Sequence, residues 1–122
     1  MLVKSLCIVA ACAATLAPLC AGAGVQTPAD GFMVVNADGS VARATTGYSV
    51  SKYETGGYEV SYTSLLYNCA DSITVGTSDA TAPLQGFATV VGRRENPQII
   101  EVYTYDASGQ PADRGFHLIV RC

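Results

Sequence analysis

Apolar and polar residues alternate along several stretches of this chain, and a period of two is typical of half-buried β-strands. The clearest stretch is residues 58–62, which read YEVSY with apolar side chains at alternate positions. Residues 99–105 consist almost entirely of Ile, Val, Thr and Tyr, which fit a pleated sheet. Residues 116–122 place Phe116, Leu118, Val120 and Cys122 on one face. The pattern therefore predicts a chain of short strands.

Turn-forming residues separate these stretches, notably Asp38-Gly39, Gly47, Gly56-Gly57 and Asn96-Pro97. No segment after residue 23 has a sustained helical period. Seven or eight strands at a spacing of roughly 8–12 residues are typical of an antiparallel all-β fold, for which we favour a sandwich over a barrel. We expect strands at residues 32–36, 40–45, 48–53, 58–63, 68–76, 86–94, 99–105 and 116–122.

The last two predicted strands, 99–105 and 116–122, are joined by the segment DASGQPADRG. Asp, Gly and Pro in this segment supply turn chemistry. We expect the two strands to form a β-hairpin with a long connection that is open to a binding role.

The first 23 residues have the features of a signal peptide. Lys4 provides a basic start, residues 6–19 are apolar, and Ala21-Gly22-Ala23 matches a cleavage site. We expect residues 1–23 to be removed and residues 24–122 to form a single secreted, periplasmic or cell-surface β domain. The apolar run is too short to predict a stable membrane span. Lipidation at Cys20 is the alternative, but Leu19 stands where a small residue is usual.

Two cysteines, Cys69 and Cys122, remain after the leader, and a pair in an exported domain predicts one disulfide bond. Alternation places both thiols on inward strand faces. Such a bond would close a loop of ~54 residues, which is worth roughly 4 kcal/mol of chain entropy. Two separate free thiols are the alternative interpretation.

Charge and motifs exclude several functions. The full chain has a net charge of −3, and removal of Lys4 with the leader would take away one more positive charge. Because the sequence also has no basic stripe, we expect no nucleic-acid partner. The sequence contains no phosphate-binding loop, no nucleophile elbow and no zinc-ligand spacing. We therefore expect no cofactor and no metal.

Three phrases together resemble a pattern found in small exported bacterial proteins and modules with no assigned activity. These phrases are VVNADGSVARATTGYSV, GGYEVSY followed by NCADSITVG, and the stretch from GFATVVG to FHLIVRC. The resemblance covers nearly all of residues 24–122. It implies a β-sandwich-like bacterial module and supplies no catalytic residues.

Chemistry-bearing residues concentrate near the end of the chain. His117 is the only histidine, and with a carboxylate such as Asp113 it could serve in a small hydrolase, although a surface or cross-strand hydrogen bond is the simpler role. Asp106, Asp113 and Arg114 lie in the longest predicted loop and are candidate interaction residues.

Tyrosines offer a second kind of site. Tyr48, Tyr53, Tyr103 and Tyr105 could form an exposed row that holds carbohydrate, or they could simply pack across neighbouring strands. We expect a non-enzymatic exported module that acts by binding an extracellular protein or as a structural domain at the cell surface or in the medium. A module that binds an extracellular glycan is the alternative. The contacts would lie on strand faces, including Tyr103, Tyr105 and His117, and in the 77–85 and 106–115 loops.

Overall fold

The computed structural model describes residues 29–66, 68–79 and 83–122, and these residues form eight strands without a helix. The larger of the two expected strand counts is therefore correct. The strands are β1 (Gly31–Val35), β2 (Val41–Ala44), β3 (Tyr48–Glu54), β4 (Gly57–Tyr62), β5 (Ala70–Val75), β6 (Phe87–Gly92), β7 (Ile99–Tyr105) and β8 (Phe116–Arg121).

The strands form two four-stranded antiparallel sheets. The first sheet has the order β2-β1-β8-β5, and the second has the order β3-β4-β7-β6. The fold is thus a small β-sandwich, which confirms the predicted class and selects the sandwich over the barrel.

Hairpins occur where short turns contain glycine or proline. The Asp38-Gly39 turn joins β1 to β2, and Gly39 has a φ of 90°, a value that favours glycine. The Gly56-Gly57 turn joins β3 to β4, and Asn96-Pro97 lies in the turn that joins β6 to β7.

The predicted hairpin between β7 and β8 is wrong, because the two strands lie in different sheets. β7 pairs with β4 and β6, whereas β8 lies between β1 and β5. After β7 the chain turns back over Asp106–Gly109, and a bridge pairs Tyr105 with Pro111. Residues 112–115 then lead to the opposite sheet. Alternation within each strand is the same for a hairpin and for a crossover, so the local pattern cannot distinguish them.

The core fills the space between the sheets with the inward residues of both. Tyr58 is fully buried, donates a hydrogen bond to the Ala37 carbonyl at 2.7 Å, and meets the edge of the Phe116 ring at a centroid distance of 5.2 Å. The predicted inward faces of β4 and β8 are therefore confirmed. The other large core side chains are Met33, Val35, Val60, Leu66, Ile100, Val102, Leu118 and Val120.

Cys69 and Cys122 form the predicted disulfide bond, with an S–S distance of 2.02 Å. The bond links the segment before β5 to the residue after β8, so it joins the ends of neighbouring strands. Cys122 itself is exposed, which corrects the expectation that both thiols point inward. The reason is that β8 ends at Arg121, and its alternation no longer applies one residue later.

The predicted signal peptide, its cleavage site and residues 80–82 of the 77–85 loop lie outside the described residues. Within the described ranges, no helix is long and apolar enough to cross a membrane.

Candidate functional site

The outer face of the second sheet carries a group of exposed aromatic and polar side chains. Strand register arranges these side chains in cross-strand rows because each antiparallel partner is fixed by hydrogen bonding. One end of the face is built from small serines, the middle is charged, and the other end is aromatic. Its members are Ser49, Ser51, Tyr53, Gly57, Glu59, Ser61, Phe87, Thr89, Val91, Ile99, Glu101, Tyr103 and Tyr105.

Tyr53 is the most distinctive aromatic residue of this face. The pairing of β3 with β4 shifts register between Lys52 and Glu54, and Tyr53 is the unpaired residue at this β-bulge. Its side chain is 46% exposed. A Cβ atom at Gly57 would meet the Glu54 side chain first and would lie 3.1 Å from Tyr53 Cζ, so both side chains pack close to the bare backbone of β4. The missing side chain at Gly57 therefore leaves room for both Glu54 and the Tyr53 ring.

Phe87 and Tyr105 occupy the far end of the aromatic region. Their rings stack across strands β6 and β7 at a centroid distance of 4.9 Å and an angle of 20°. Tyr105 therefore packs against a neighbouring strand, which was the alternative to an exposed tyrosine row that holds carbohydrate. Phe87 nevertheless stays 48% exposed at the edge of the sheet.

Glu101 is the centre of a charged network in the middle of the face. Its carboxylate accepts hydrogen bonds from Arg93 and from the Tyr103 hydroxyl, the latter at 3.0 Å. Arg93 also lies 4.0 Å from Glu59. The hydrogen bond from Arg93 is the main cause of a lowered pKa at Glu101, opposed by partial desolvation. This carboxyl is therefore held ionised and is poorly suited to act as a general acid.

The same network fixes the position of Tyr53. Burial, followed by a hydrogen bond with Tyr103 and the nearby charge of Glu101, raises the pKa of Tyr53 above its usual value. The phenol thus stays protonated and able to donate at physiological pH. The ring is anchored at its hydroxyl end and against Gly57.

A hollow of about 450 Å³ lies at the serine end of the face. The Ser49 and Ser61 hydroxyls, 2.7 Å apart, lie side by side on neighbouring strands. Gln98 donates from Nε2 to the Thr63 carbonyl at 3.0 Å. The hollow is lined by Gly47, Ser49, Ser61, Tyr62, Thr63, Asn96, Gln98 and Ile99, a set without Asp, Glu, Lys or Arg.

Tyr48 does not belong to the exposed row that the sequence suggested. Its register partner is Tyr62, the two rings lie 4.4 Å apart, and both pack against the core. The Tyr48 hydroxyl donates to the Ala29 carbonyl. Burial is the main cause that raises the pKa of Tyr48 to about 12. Tyr53, Tyr103 and Tyr105 do share the outer face of the second sheet.

The 77–85 and 106–115 loops meet at one end of the sandwich, where their described residues line a second hollow of about 360 Å³. The charged residues there have structural partners. Asp113 lies 3.3 Å from Lys52 and accepts a hydrogen bond from the Gly56 amide at 2.8 Å. Arg114 donates from Nε to the Gln85 carbonyl at 3.1 Å. These contacts hold the crossover in place.

Asp106 shapes its own turn. Its Oδ1 atom accepts hydrogen bonds from the Ser108 amide and hydroxyl and from the Gln110 amide, which together lower its pKa. The Ser108 hydroxyl bond is the largest cause.

His117 lies on the outer face of the first sheet, where its Nε2 atom is 3.0 Å from the Thr77 carbonyl oxygen. It therefore sits on the opposite side of the sandwich from Tyr103 and Tyr105. The six interaction residues expected from the sequence are thus distributed over three places.

Asp71 is a polar group that the sequence did not single out. It lies in β5 opposite Val120, on the inward side of the first sheet, and its Oδ1 atom is buried without a hydrogen-bond partner. Burial raises the pKa of Asp71 to about 6.

Sequence reasoning also missed Glu101 and the two serines of the hollow. Alternation within β4 places Glu59 and Ser61 outward, so part of this signal was available. Which residues of other strands stand beside them depends on strand pairing, which no local pattern shows.

The comparisons with known proteins gave no match to a family model, to a curated protein or to a solved structure. Among the described residues, no group of three or more His, Cys, Asp or Glu side chains is placed to hold a metal ion.

Proposed function

We propose that the protein is an exported, non-catalytic binding module and that the outer face of the second sheet is its contact surface. The observation that carries this proposal is the combination, on one face, of exposed Tyr53, Phe87 and Val91 with an uncharged hollow. Exposed aromatic side chains next to a concave polar site are typical of recognition surfaces.

A binding role is supported over a catalytic one by where the ionisable groups lie. His117 contacts the Thr77 carbonyl through Nε2. Asp113, the carboxylate suggested as its partner, instead contacts Lys52 and the Gly56 amide. Glu101 is held ionised by Arg93, so it has no proton to donate near neutral pH. An acid–base pair needs both groups within hydrogen-bond reach of one substrate atom.

Site-specific photo-crosslinking in the producing cells tests the contact surface. A benzophenone amino acid replaces Val91 on the outer face of the second sheet, and Ile119 on the outer face of the first sheet is the matched control. Both are exposed β-branched residues, at 48% and 55%. A crosslinked product is expected from position 91 and not from position 119. Crosslinking only from position 119, equally from both or from neither would refute the proposed surface.

Export is tested by the intact mass of the protein recovered from the same cells. A chain that begins at Gly24 supports secretion with leader removal, and a diacylglyceryl group on Cys20 indicates a lipoprotein instead. A chain that retains Met1 would contradict export.

A further inference from the structure

We infer that the ligand of the outer face of the second sheet is a neutral carbohydrate chain, with one sugar unit on Tyr53 and another in the serine-lined hollow. This inference rests on the proposed function and specifies its ligand. The argument uses the lining of the hollow, the charge of the face and the support of the Tyr53 ring.

The lining of the hollow matches the chemistry of sugar hydroxyls. A sugar hydroxyl both donates and accepts hydrogen bonds, and so do the side chains of Ser, Thr, Asn and Gln. Ser49, Ser61, Asn96 and Gln98 all line the hollow. Gln98 uses Nε2 to contact the Thr63 carbonyl, which leaves its amide oxygen as an acceptor.

The charge of the face disfavours anionic ligands. Phosphate and carboxylate groups are usually held by Arg or Lys. The hollow contains neither residue type. The Arg93 guanidinium, which reaches this face, is already paired with Glu101 and approaches Glu59. Two carboxylates against one guanidinium make the middle of the face weakly acidic, which favours a neutral ligand.

Tyr62, whose ring packs against Tyr48 and the core, also borders the hollow. Gly47 has a φ of 103°, and a Cβ atom there would lie 3.2 Å from Tyr62 Cδ2. A glycine therefore lets the chain bend closely around this ring. The Tyr62 ring contacts the Tyr48 ring at a tilted angle of 31°, which holds it in place before any ligand arrives.

Tyr53 provides a fixed aromatic surface at the other end. The C–H groups on the face of a sugar ring carry partial positive charge and pack against the negative face of an aromatic ring. The Tyr53 ring is already ordered by Gly57 and by the contacts of its hydroxyl, so little side-chain entropy is lost on binding.

The spacing of the two subsites suits an extended chain. Gly57 beside Tyr53 and Ser61 in the hollow are four residues apart on β4, which corresponds to roughly 13 Å along a strand. A short run of linked sugar rings spans that distance across Glu59. The carboxylate of Glu59 would accept hydrogen bonds from hydroxyl groups in the middle of the chain.

A glycan array that carries both neutral and acidic glycans tests the ligand class. The protein applied to it is the full-length form purified from the cells that produce it. The wild-type protein is expected to bind one or more neutral glycans. Tyr53→Ala and Asn96→Ala are each expected to weaken binding of the same glycan by roughly tenfold, the equivalent of one lost contact. Ile119→Ala, on the opposite sheet, is the control and is expected to bind like wild type.

Tyr53→Phe separates stacking from the hydroxyl contacts. It is expected to retain most of the affinity because the ring remains over Gly57. A thermal melt of each variant checks that the fold is intact. Asn96→Ala should melt like wild type, which keeps the test valid if Tyr53→Ala loses stability.

The outcomes distinguish the ligand class from the proposed function. Crosslinking from position 91 without binding to any neutral glycan overturns the carbohydrate inference and leaves a protein-binding module. Binding to acidic glycans alone also overturns it. Neutral-glycan binding that survives both Tyr53→Ala and Asn96→Ala would place the sugar elsewhere and refute the site.

Discussion

Removal of the disulfide bond between Cys69 and Cys122 tests how the last strand is held. The bond spans a sequence separation of 53 residues and joins the ends of β5 and β8. β8 lies between β1 and β5, and its inward residues are fully buried. We expect the Cys69→Ala/Cys122→Ala variant to fold to the same structure with a lower free energy of unfolding.

The expected magnitude follows from the length of the closed loop. In the chain-entropy model, a loop of this size constrains the unfolded chain by roughly 4 kcal/mol. For a domain of about 100 residues, a loss of that size lowers the melting temperature by roughly 15–30 °C. The β8 terminus keeps a second attachment, because the Cys122 amide donates to Asp30 Oδ1 at 2.6 Å and Arg121 lies 3.2 Å from Asp30 Oδ2.

The assay is equilibrium unfolding in urea, followed by far-ultraviolet circular dichroism. Oxidised wild type, wild type with a reductant and the double variant are compared, and the reductant should have no effect on the double variant. The dependence of the unfolding free energy on urea should become steeper without the crosslink, because the unfolded chain then exposes more surface. A loss below about 1 kcal/mol would refute the view that the crosslink constrains the unfolded chain.

Two further changes test polar groups of the interior. Burial raises the pKa of Asp71 to about 6, so the folded protein holds a proton that the unfolded chain releases near pH 4. The free energy of unfolding should therefore fall as the pH rises through that interval. Asp71→Asn should flatten this fall and raise the free energy of unfolding at pH 7 by about 1 kcal/mol after solvent screening. Unfolding at several pH values measures both effects. An unchanged slope would contradict the assignment. Tyr58→Phe removes the hydroxyl bonded to the Ala37 carbonyl and should cost about 1 kcal/mol in urea unfolding, whereas a neutral result would show that water replaces this contact.

Much of the fold is predictable from the chain because strand alternation and turn chemistry are local. The β7 strand is found at the expected residues 99–105, and Asp38-Gly39 joins the strands that flank it. The alternation of β4 and β8 correctly separates buried Tyr58 and Phe116 from exposed His117 and Ile119. Each of these features depends on residues within a few positions of one another.

The candidate site is less predictable because it is assembled across strands. Tyr53 lies over Gly57 only because an irregularity shifts the register of β3 against β4. Arg93 follows the end of β6, and it reaches Glu101 of β7 because these two strands are paired. Tyr48 was expected to be exposed beside Tyr53, but the two are five positions apart in β3, and this odd offset makes them face opposite sides of the sheet.

The sequence by itself determined the approximate positions of the strands, the inward faces of β4 and β8, the short glycine and proline turns and the pairing of Cys69 with Cys122. Only the tertiary structure decided that β7 and β8 belong to opposite sheets and that Ser49, Ser61 and Ile99 meet in one row. The physical reason is that alternation within a strand indicates which of its sides is buried. Which strand pairs with which depends instead on how the apolar faces of the two complete sheets pack against each other. That choice placed His117 away from Tyr103 and created the face proposed here for binding.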